Sequence, residues 1–296
     1  MNRSAFMPYL WMVSGCIAFT FMGNFTFALG HISAIGLNLD WQIIAFFRAF
    51  LVFLFSLALA VAFRINPVVM GSRSLWLRSI AGSLSLVFSF YALTKLQLSL
   101  VLTVTNMFPL WVALLSWPML KKIPSISDWA AVCMGIIGVG LIQKPHLSDN
   151  YLAIASAIIA SFFTALAMIG LHKIKGIPTQ AIVVHFSGVA TALCLLVLPF
   201  APNVGTTIAD VDFKILLLLL GVGISATIGQ NFLTLAFSSG APTKISVVGL
   251  SQVVFAVIGD MLFWHKALGL VEVIGILLIL LPTGWVMLKS DPDLNP

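Results

Sequence analysis

Charged residues are scarce in this sequence. Asp, Glu, Lys and Arg together make up 8% of its 296 positions, whereas 60% of the positions are hydrophobic. A soluble globular domain carries roughly 25% charged residues, because polar groups must cover its surface. The composition therefore excludes a water-soluble enzyme domain and predicts a protein embedded in lipid. No stretch between the apolar runs is long enough to form a separate soluble domain.

Cysteine is also scarce, and the motifs of metal, nucleotide and covalent chemistry are missing. The three cysteines, Cys16, Cys133 and Cys194, are far apart in apolar stretches. Their odd number and wide spacing exclude a disulfide framework and a CxxC metal site, so we expect small residues that face lipid or the protein core. The sequence contains no HExxH motif, no P-loop and no GxGxxG motif after a strand. It therefore predicts neither an enzyme nor ATP coupling, and no metal or cofactor is expected.

Ten long apolar runs are the main feature that the sequence does have. Each run is long enough to cross the hydrocarbon layer as a helix, and none shows the alternation that barrel strands require. The predicted all-α integral membrane protein has spans at about 8–29, 41–63, 75–93, 99–120, 127–142, 151–171, 179–200, 213–237, 242–264 and 268–288. The sequence Ser125-Ile126-Ser127-Asp128 is a helix-start signal for the fifth span.

Basic residues outnumber acidic residues, 15 to 9. They stand singly or in pairs between apolar runs, so we read them as topology signals and expect no nucleic-acid partner. With the N-terminus in the cytoplasm, the cytoplasmic side holds nine of them: Arg3, Arg64, Arg73, Arg78, Lys121, Lys122, Lys173, Lys175 and Lys289. The opposite side then holds four: Lys95, Lys144, Lys214 and Lys266. This bias predicts a multi-pass protein of the cell membrane with both termini in the cytoplasm.

An internal repeat relates the two halves of the chain. Sliding the sequence by 144 positions superposes spans 3–5 on spans 8–10, with matching helix ends and these matched residues: Ala92 and Ala236, Ser99 and Thr243, Lys122 and Lys266, Asp128 and Glu272, Gly140 and Gly284. We predict two five-helix units, 1–145 and 146–296. Because five is odd, tandem units insert with opposite orientation, which is the inverted repeat of many secondary transporters.

Several motifs resemble one repeat of the EamA transporters. They are the segments 91–96 (YALTKL), 106–109 (NMFP), 121–125 (KKIPS) and 135–140 (GIIGVG), preceded by Phe47-Arg48 and by 78–82 (RSIAG). The resemblance covers nearly the whole chain as two tandem units. It implies the drug/metabolite transporter superfamily, with ten helices, inverted halves, and export or uptake of small organic metabolites. The family often has Glu at the turn after the fourth and ninth helices, where this chain has Lys121 and His265.

Three ionisable residues inside the spans are candidates for substrate recognition or coupling, because isolated polar groups are costly in hydrocarbon. Arg48 lies about two turns inside span 2, where it could pair with an anionic substrate or snorkel to the interface. Asp260, near the end of span 9, could bind a cation or proton, or could reach interfacial water. His185 in span 7 could relay protons or serve as a hydrogen-bonded structural residue.

Span 4 combines a proline with polar and aromatic side chains. Pro109 has no N–H, so the Thr105 carbonyl loses its helical partner and the helix is expected to kink. Asn106 and Trp111 flank this kink, and Gln252 occupies the corresponding region of span 9. These groups could contact a polar metabolite at mid-membrane, or they could bond neighbouring helices.

Span 8 carries the adjacent amides Gln230 and Asn231 after a stretch of small residues that favours close helix packing. Asn24 in span 1 and Tyr91 near the end of span 3 are weaker candidates. We place the predicted substrate near mid-membrane between the two halves. The expected contacts are Asn106, Trp111, Gln230, Asn231 and Gln252.

These observations predict secondary transport of a small organic metabolite by alternating access, without ATP. Candidate substrates are amino acids, amines and nucleoside-like compounds, and the substrate and the lipid bilayer are the expected partners. The alternative is a passive channel, but no ring of charged residues or filter-like segment is present. The sequence leaves open the direction of transport, proton or ion coupling, and assembly as a homodimer.

The predicted orientation can be checked with topology reporters. We expect reporter fusions at the Lys121–Lys122 turn and at the Asp210 loop to lie on opposite sides of the membrane, the first in the cytoplasm. The measurement compares a reporter that is active only in the cytoplasm with one that is active only outside it. Both fusions reporting the same side would overturn the topology.

Overall fold

A computed structural model of the chain describes residues 3–33, 40–69, 71–145, 150–201, 212–264 and 268–288. Within these ranges the secondary structure is helical, with twelve α-helices, one 3₁₀ turn at Leu198–Phe200 and no strand. The helices form ten segments that are long and apolar enough to cross a membrane. The predicted all-α fold with ten spans is therefore confirmed. Asp210, His265, Lys266 and Lys289, which entered the sequence predictions, lie outside the described residues.

Each half of the chain contributes six helices, because one span in each half consists of two helices in series. The first half contains α1 (Arg3–Ser33), α2 (Trp41–Ala62), α3 (Arg73–Lys95), α4 (Leu98–Thr105), α5 (Phe108–Leu120) and α6 (Ile126–Gln143). The second half contains α7 (Tyr151–His172), α8 (Thr179–Val197), α9 (Phe213–Ser239), α10 (Pro242–Gly249), α11 (Ser251–Trp264) and α12 (Leu270–Leu288).

The start of α6 follows directly from its sequence. The Ser125 hydroxyl accepts a hydrogen bond from the Asp128 N–H, and an Asp128 carboxylate oxygen accepts one from the Ser125 N–H at 3.0 Å. This reciprocal arrangement is a capping box, which satisfies two backbone donors that the first helical turn leaves open. The helix-start signal predicted at Ser125 is confirmed.

The fourth span is broken near its middle, as Pro109 predicts. Helix α4 ends at Thr105, and α5 begins at Phe108 with Pro109 in its first turn. The proline cannot donate the hydrogen bond that would continue the helix. The ninth span has a matching break at Leu250, between α10 and α11.

The internal repeat is visible in the helix bounds and in the packing. An offset of 144 maps Leu98–Thr105 onto Pro242–Gly249 and the first residue of α6 onto that of α12. Helix α1 packs along α9 as α7 packs along α3, and α3 contacts α8 as α9 contacts α2. Helix α2 meets its counterpart α8, and α6 meets its counterpart α12. The two halves are thus related by a pseudo-twofold axis. This axis passes between α2 and α8 and also between α6 and α12.

The crossing of α6 and α12 depends on two glycines. A Cβ atom on Gly138 would lie 2.6 Å from the Gly275 carbonyl oxygen, and one on Gly275 would lie 2.8 Å from the Gly138 carbonyl oxygen. Both neighbours are backbone atoms, which cannot rotate away as a side chain does. Small residues allow membrane helices to approach this closely and gain dispersion contacts.

Replacing Gly138 with alanine should therefore push the two halves apart. We expect Gly138→Ala to lower the free energy of unfolding by about 1–3 kcal/mol, the range for overpacked sites. Gly140→Ala is the matched control, because a Cβ on Gly140 has no heavy atom within 4 Å. The readout is the thermal unfolding midpoint of each detergent-purified variant. Equal midpoints for the two variants would contradict the close crossing.

Candidate substrate site

A small cavity lies where α2 and α3 of the first half meet α8 and α9 of the second half. Its volume is about 20 Å³, which is room for about one water molecule. Its polar lining consists of Arg48 from α2, Ser187 from α8 and Gln230 from α9. The remaining lining residues are apolar: Ala49, Val52, Leu86, Phe186 and Ala190.

The cavity lining obeys the internal repeat. Spans Trp41–Ala62 and Thr179–Phe200 have equal length, and aligning their first residues pairs the lining residues of α2 with those of α8. The pairs are Arg48 with Phe186, Ala49 with Ser187, and Val52 with Ala190. The offset of 144 between α3 and α9 pairs Leu86 with Gln230. The offset between α2 and α8 is then 138 (179 minus 41), six fewer than between α3 and α9. With these offsets all the lining residues form equivalent pairs, as expected of a cavity near the pseudo-twofold axis.

Arg78 lies in the helix bundle beside this cavity, where it contacts the lining residues Gln230 and Phe186. We predicted that Arg78 is one of the basic loop residues of the cytoplasmic side, but its side chain is 2% exposed, so it is not a loop charge. Helix α3 begins at Arg73, so Arg78 stands in its second turn, on the face that packs against α7 and α8. Arg78 is therefore removed from the count of loop charges and is described with the buried residues of the helix bundle.

The Arg78 guanidinium is held from two sides. Its Nη2 donates a hydrogen bond to Oε1 of Gln230 at 3.1 Å, and its central carbon lies 4.0 Å from the centroid of the Phe186 ring. Stacking on an aromatic face stabilises a cation, more so where water is excluded. The Nε donor is buried and has no hydrogen-bond partner in the described part of the chain. The guanidinium is therefore oriented, while part of its donor capacity stays unused.

The absence of a side chain at Gly82 leaves room for the stacking of the Arg78 guanidinium on the Phe186 ring. Gly82 lies one turn after Arg78 on α3, and a Cβ at this position would collide with the Arg78 guanidinium and lie 2.8 Å from the Phe186 ring. The spacing of four residues places both on one face of the helix. An arginine inside an apolar run, with a glycine four residues later, is the sequence pattern that could have identified Arg78 as a buried residue.

His185 lies beside this cluster on α8. Its Nδ1 is 2.7 Å from the Ser79 hydroxyl, and the Trp76 ring meets the imidazole edge to face, with centroids 4.7 Å apart. Ser79 follows Arg78, and His185 precedes Phe186, so two adjacent side-chain pairs join α3 to α8. The Nε2 atom of His185 is buried without a hydrogen-bond partner among the described residues.

Three of the predicted amides bond their own helices. The side-chain nitrogens of Asn24, Asn106 and Asn231 donate to the carbonyl oxygens four residues earlier, at 3.0, 2.7 and 2.9 Å. The bond from Asn106 reaches Leu102 and closes the end of α4 at the break. Each of these amide nitrogens has one of its two N–H donors bonded within its own helix. Their predicted role as substrate contacts stays a prediction.

Trp111 and Gln252 lie elsewhere in the bundle. The Trp111 indole N–H donates to the Ser161 hydroxyl on α7 at 2.9 Å, and its ring meets Phe162 edge to face. Gln252 is half-buried and stands directly after the break at Leu250. Of the five predicted substrate contacts, the described geometry brings Gln230 to the cavity that Arg48 also lines.

The remaining predicted residues, Tyr91 and Asp260, are half-buried. Asp260 follows Gly259, where a Cβ would lie 2.9 Å from the Asn24 amide nitrogen, so this part of α11 packs on α1. Within the described ranges, no group of three or more His, Cys, Asp or Glu residues could hold a metal ion.

The bond between Trp111 and Ser161 provides a test of one predicted contact. We expect Trp111→Phe and Ser161→Ala each to lower the free energy of unfolding by roughly 0.5–1.5 kcal/mol, because each removes this one hydrogen bond. The double variant should lose less than the sum of the single variants. Thermal unfolding gives all three values. A loss of transport in Trp111→Phe with unchanged unfolding would instead identify Trp111 as a substrate contact.

Comparison with known proteins agrees with this architecture. A pseudopaline exporter, CntI, of Pseudomonas aeruginosa strain PAO1 is 29% identical over 212 residues, 71% of this chain and 72% of that protein. An uncharacterized transporter of Helicobacter pylori strain 26695 is 27% identical over 213 residues, again 71% of this chain and 72% of its relative. A solved crystal structure shares the fold, with a TM-score of 0.81 at 16% identity, covering 95% of this chain and 97% of its own.

The family model that matches describes a membrane transporter. It covers residues 7–143 and again residues 150–288, so it matches each half of the chain once. Together the two matches span nearly all of the helices described above. This chain belongs to the EamA-like transporter family.

Proposed function

We propose that this protein is a secondary transporter that moves a small organic metabolite by alternating access, without ATP. The observation that carries the proposal is the cavity near the pseudo-twofold axis, lined by equivalent positions of the two halves. Inverted-repeat transporters bind substrate at the repeat interface near mid-membrane, and rocking of one half against the other opens the site to each side in turn. Amino acids, amines and nucleoside-like compounds are the candidate substrates that the sequence suggests.

The size of the cavity favours a transporter over the passive channel. With room for about one water molecule, the cavity does not admit a metabolite in this conformation. Helices α2, α3, α8 and α9 must separate before a solute enters. A carrier undergoes such a rearrangement in every transport cycle, whereas a channel keeps a continuous path when open.

The broken spans supply places where the chain can bend. The α4–α5 break at Asn106 and the α10–α11 break at Leu250 lie at equivalent positions of the two halves. Discontinuous helices are common in transporters, because unwound backbone is tolerated where it is buried in protein or lines a cavity. We place the hinges of the two halves at these breaks.

We further propose the cell membrane as the location, with both termini in the cytoplasm and unit boundaries at 1–145 and 146–296. The loop charges support this orientation even without Arg78, because eight basic residues still face four. The name of the Pseudomonas relative, a pseudopaline exporter, supports export as the direction of transport.

Counterflow in proteoliposomes tests carrier against channel. Vesicles are preloaded with an unlabelled mixture of amino acids, polyamines and nucleosides, and the uptake of each radiolabelled solute is then measured without ATP. We expect saturable uptake of at least one class that unlabelled solute inside accelerates, because the loaded carrier returns faster. A strict requirement for ATP, or uptake that is linear in concentration and not accelerated, would contradict the proposal.

Two substitutions on α2 provide matched variants for this assay. Ala49→Phe fills the cavity and should abolish uptake, whereas Leu54→Phe adds a ring to a side chain that is 40% exposed on the outer surface. Monodisperse elution of both variants establishes that they fold. Normal uptake in folded Ala49→Phe would remove this cavity from the transport path.

A further inference from the structure

Two arginines enter the helix bundle without an acidic partner. Arg78 is fully buried and Arg48 lines the cavity, and no carboxylate among the described residues forms an ion pair with either. The ion pair that the described residues do form, Lys144 with Glu272, joins the end of α6 to the start of α12. The cavity is therefore flanked by positive charge that the described protein groups leave uncompensated.

Arg78 has more donors than acceptors around it. A guanidinium carries five N–H donors in a planar fork. Gln230 accepts one of them at 3.1 Å, Phe186 covers a face of the group, and the buried Nε has no partner among the residues that the structure describes. A buried cation is stable when it is paired and hydrogen-bonded. The unused donors of Arg78 match the oxygens of a carboxylate or a phosphate, which bind arginine in a bidentate manner.

The scaffold itself does not require these polar residues. The repeat makes Arg48 equivalent to Phe186, Gln230 to Leu86, and Arg78 to Val222. The position equivalent to each polar residue is therefore occupied by an apolar residue in the other half. The same helix packing thus forms with an apolar residue at every one of these positions. This argues against a purely structural role for the two guanidinium groups.

We propose that the transported metabolite is an organic anion, and that its carboxylate or phosphate group binds between Arg78 and Arg48. This inference rests on the proposed transport function and narrows its substrate class. Gln230 acts as a positioning residue, because its amide oxygen orients the Arg78 fork. Among the candidate classes, amino acids fit the site through their carboxylate, whereas simple amines and neutral nucleosides do not.

The test uses a substrate pool that assumes no identity. Proteoliposomes containing the full chain are incubated without ATP in a total soluble metabolite extract of the expression host, and mass spectrometry identifies what accumulates relative to protein-free vesicles. We expect the accumulated compounds to carry a carboxylate or phosphate group. Phosphatase treatment of the extract separates the two chemistries, because it removes the uptake of phosphate esters and leaves that of carboxylates.

Arginine variants link the selectivity to the site. Arg48→Gln and Arg78→Gln should each reduce the uptake of the accumulated anions by at least about tenfold, since each removes one partner of a buried charged contact. Arg78→Lys retains the charge and should keep part of the uptake. Arg73→Gln is the control, because Arg73 is an exposed residue at the start of the same helix. If Arg78→Gln fails to fold, Arg48→Gln carries the test.

The outcomes separate the two proposals. Accumulation of metabolites that carry neither a carboxylate nor a phosphate group overturns the anion site and leaves the transport function standing. So does anion uptake that persists in folded Arg48→Gln, and in Arg78→Gln where it folds, at the level of Arg73→Gln. No accumulation of any metabolite above that in protein-free vesicles overturns the transport function, and the anion site with it.

Discussion

Hydrocarbon offers no hydrogen-bond partners, and this constraint shapes the protein at every level. Backbone groups must pair within each segment, which permits helices and excludes isolated strands or loops in contact with lipid. Side-chain amides obey the same rule, because Asn24, Asn106 and Asn231 all donate to carbonyl groups of their own helices. The Arg78 Nε is an exception, because it is buried without a hydrogen-bond partner in the described part of the chain.

The duplicated scaffold meets this constraint with two kinds of contact on its axis. Gly138 and Gly275 let α6 and α12 approach until the carbonyl of each lies against the other glycine, and the ion pair of Lys144 with Glu272 joins the same two helices at their ends. The contact of α2 with α8 instead borders a cavity and carries Arg48, so its packing is incomplete.

The sequence predicted the features that depend on neighbouring residues alone. The ten spans follow from local hydropathy, the start of α6 from Ser125, and the break in span 4 from Pro109. The break in span 9 could not be found in this way, because it has no proline at the equivalent position; there the buried Leu250 packs against Gly135 of α6. The role of Arg78 was missed for the same reason, since only the pairing of α3 with α8 brings it to Phe186.

The two halves differ in sequence at the cavity, and such a difference bears on the transport cycle. An inverted repeat with identical halves would have inward-facing and outward-facing states of equal energy, because one state becomes the other when the halves exchange conformations. Arg78 is equivalent to Val222, and Gln230 is equivalent to Leu86. The halves therefore differ in side chains at the cavity, while the bounds of their helices coincide. Under the proposed function, the Arg78 guanidinium gains hydrogen-bond partners in the conformational state in which water or an anion reaches it. The side chains that would recognise the solute therefore also make the inward-facing and outward-facing states unequal in energy. Binding of the solute can shift the equilibrium between these states only if the solute binds one of them more tightly than the other.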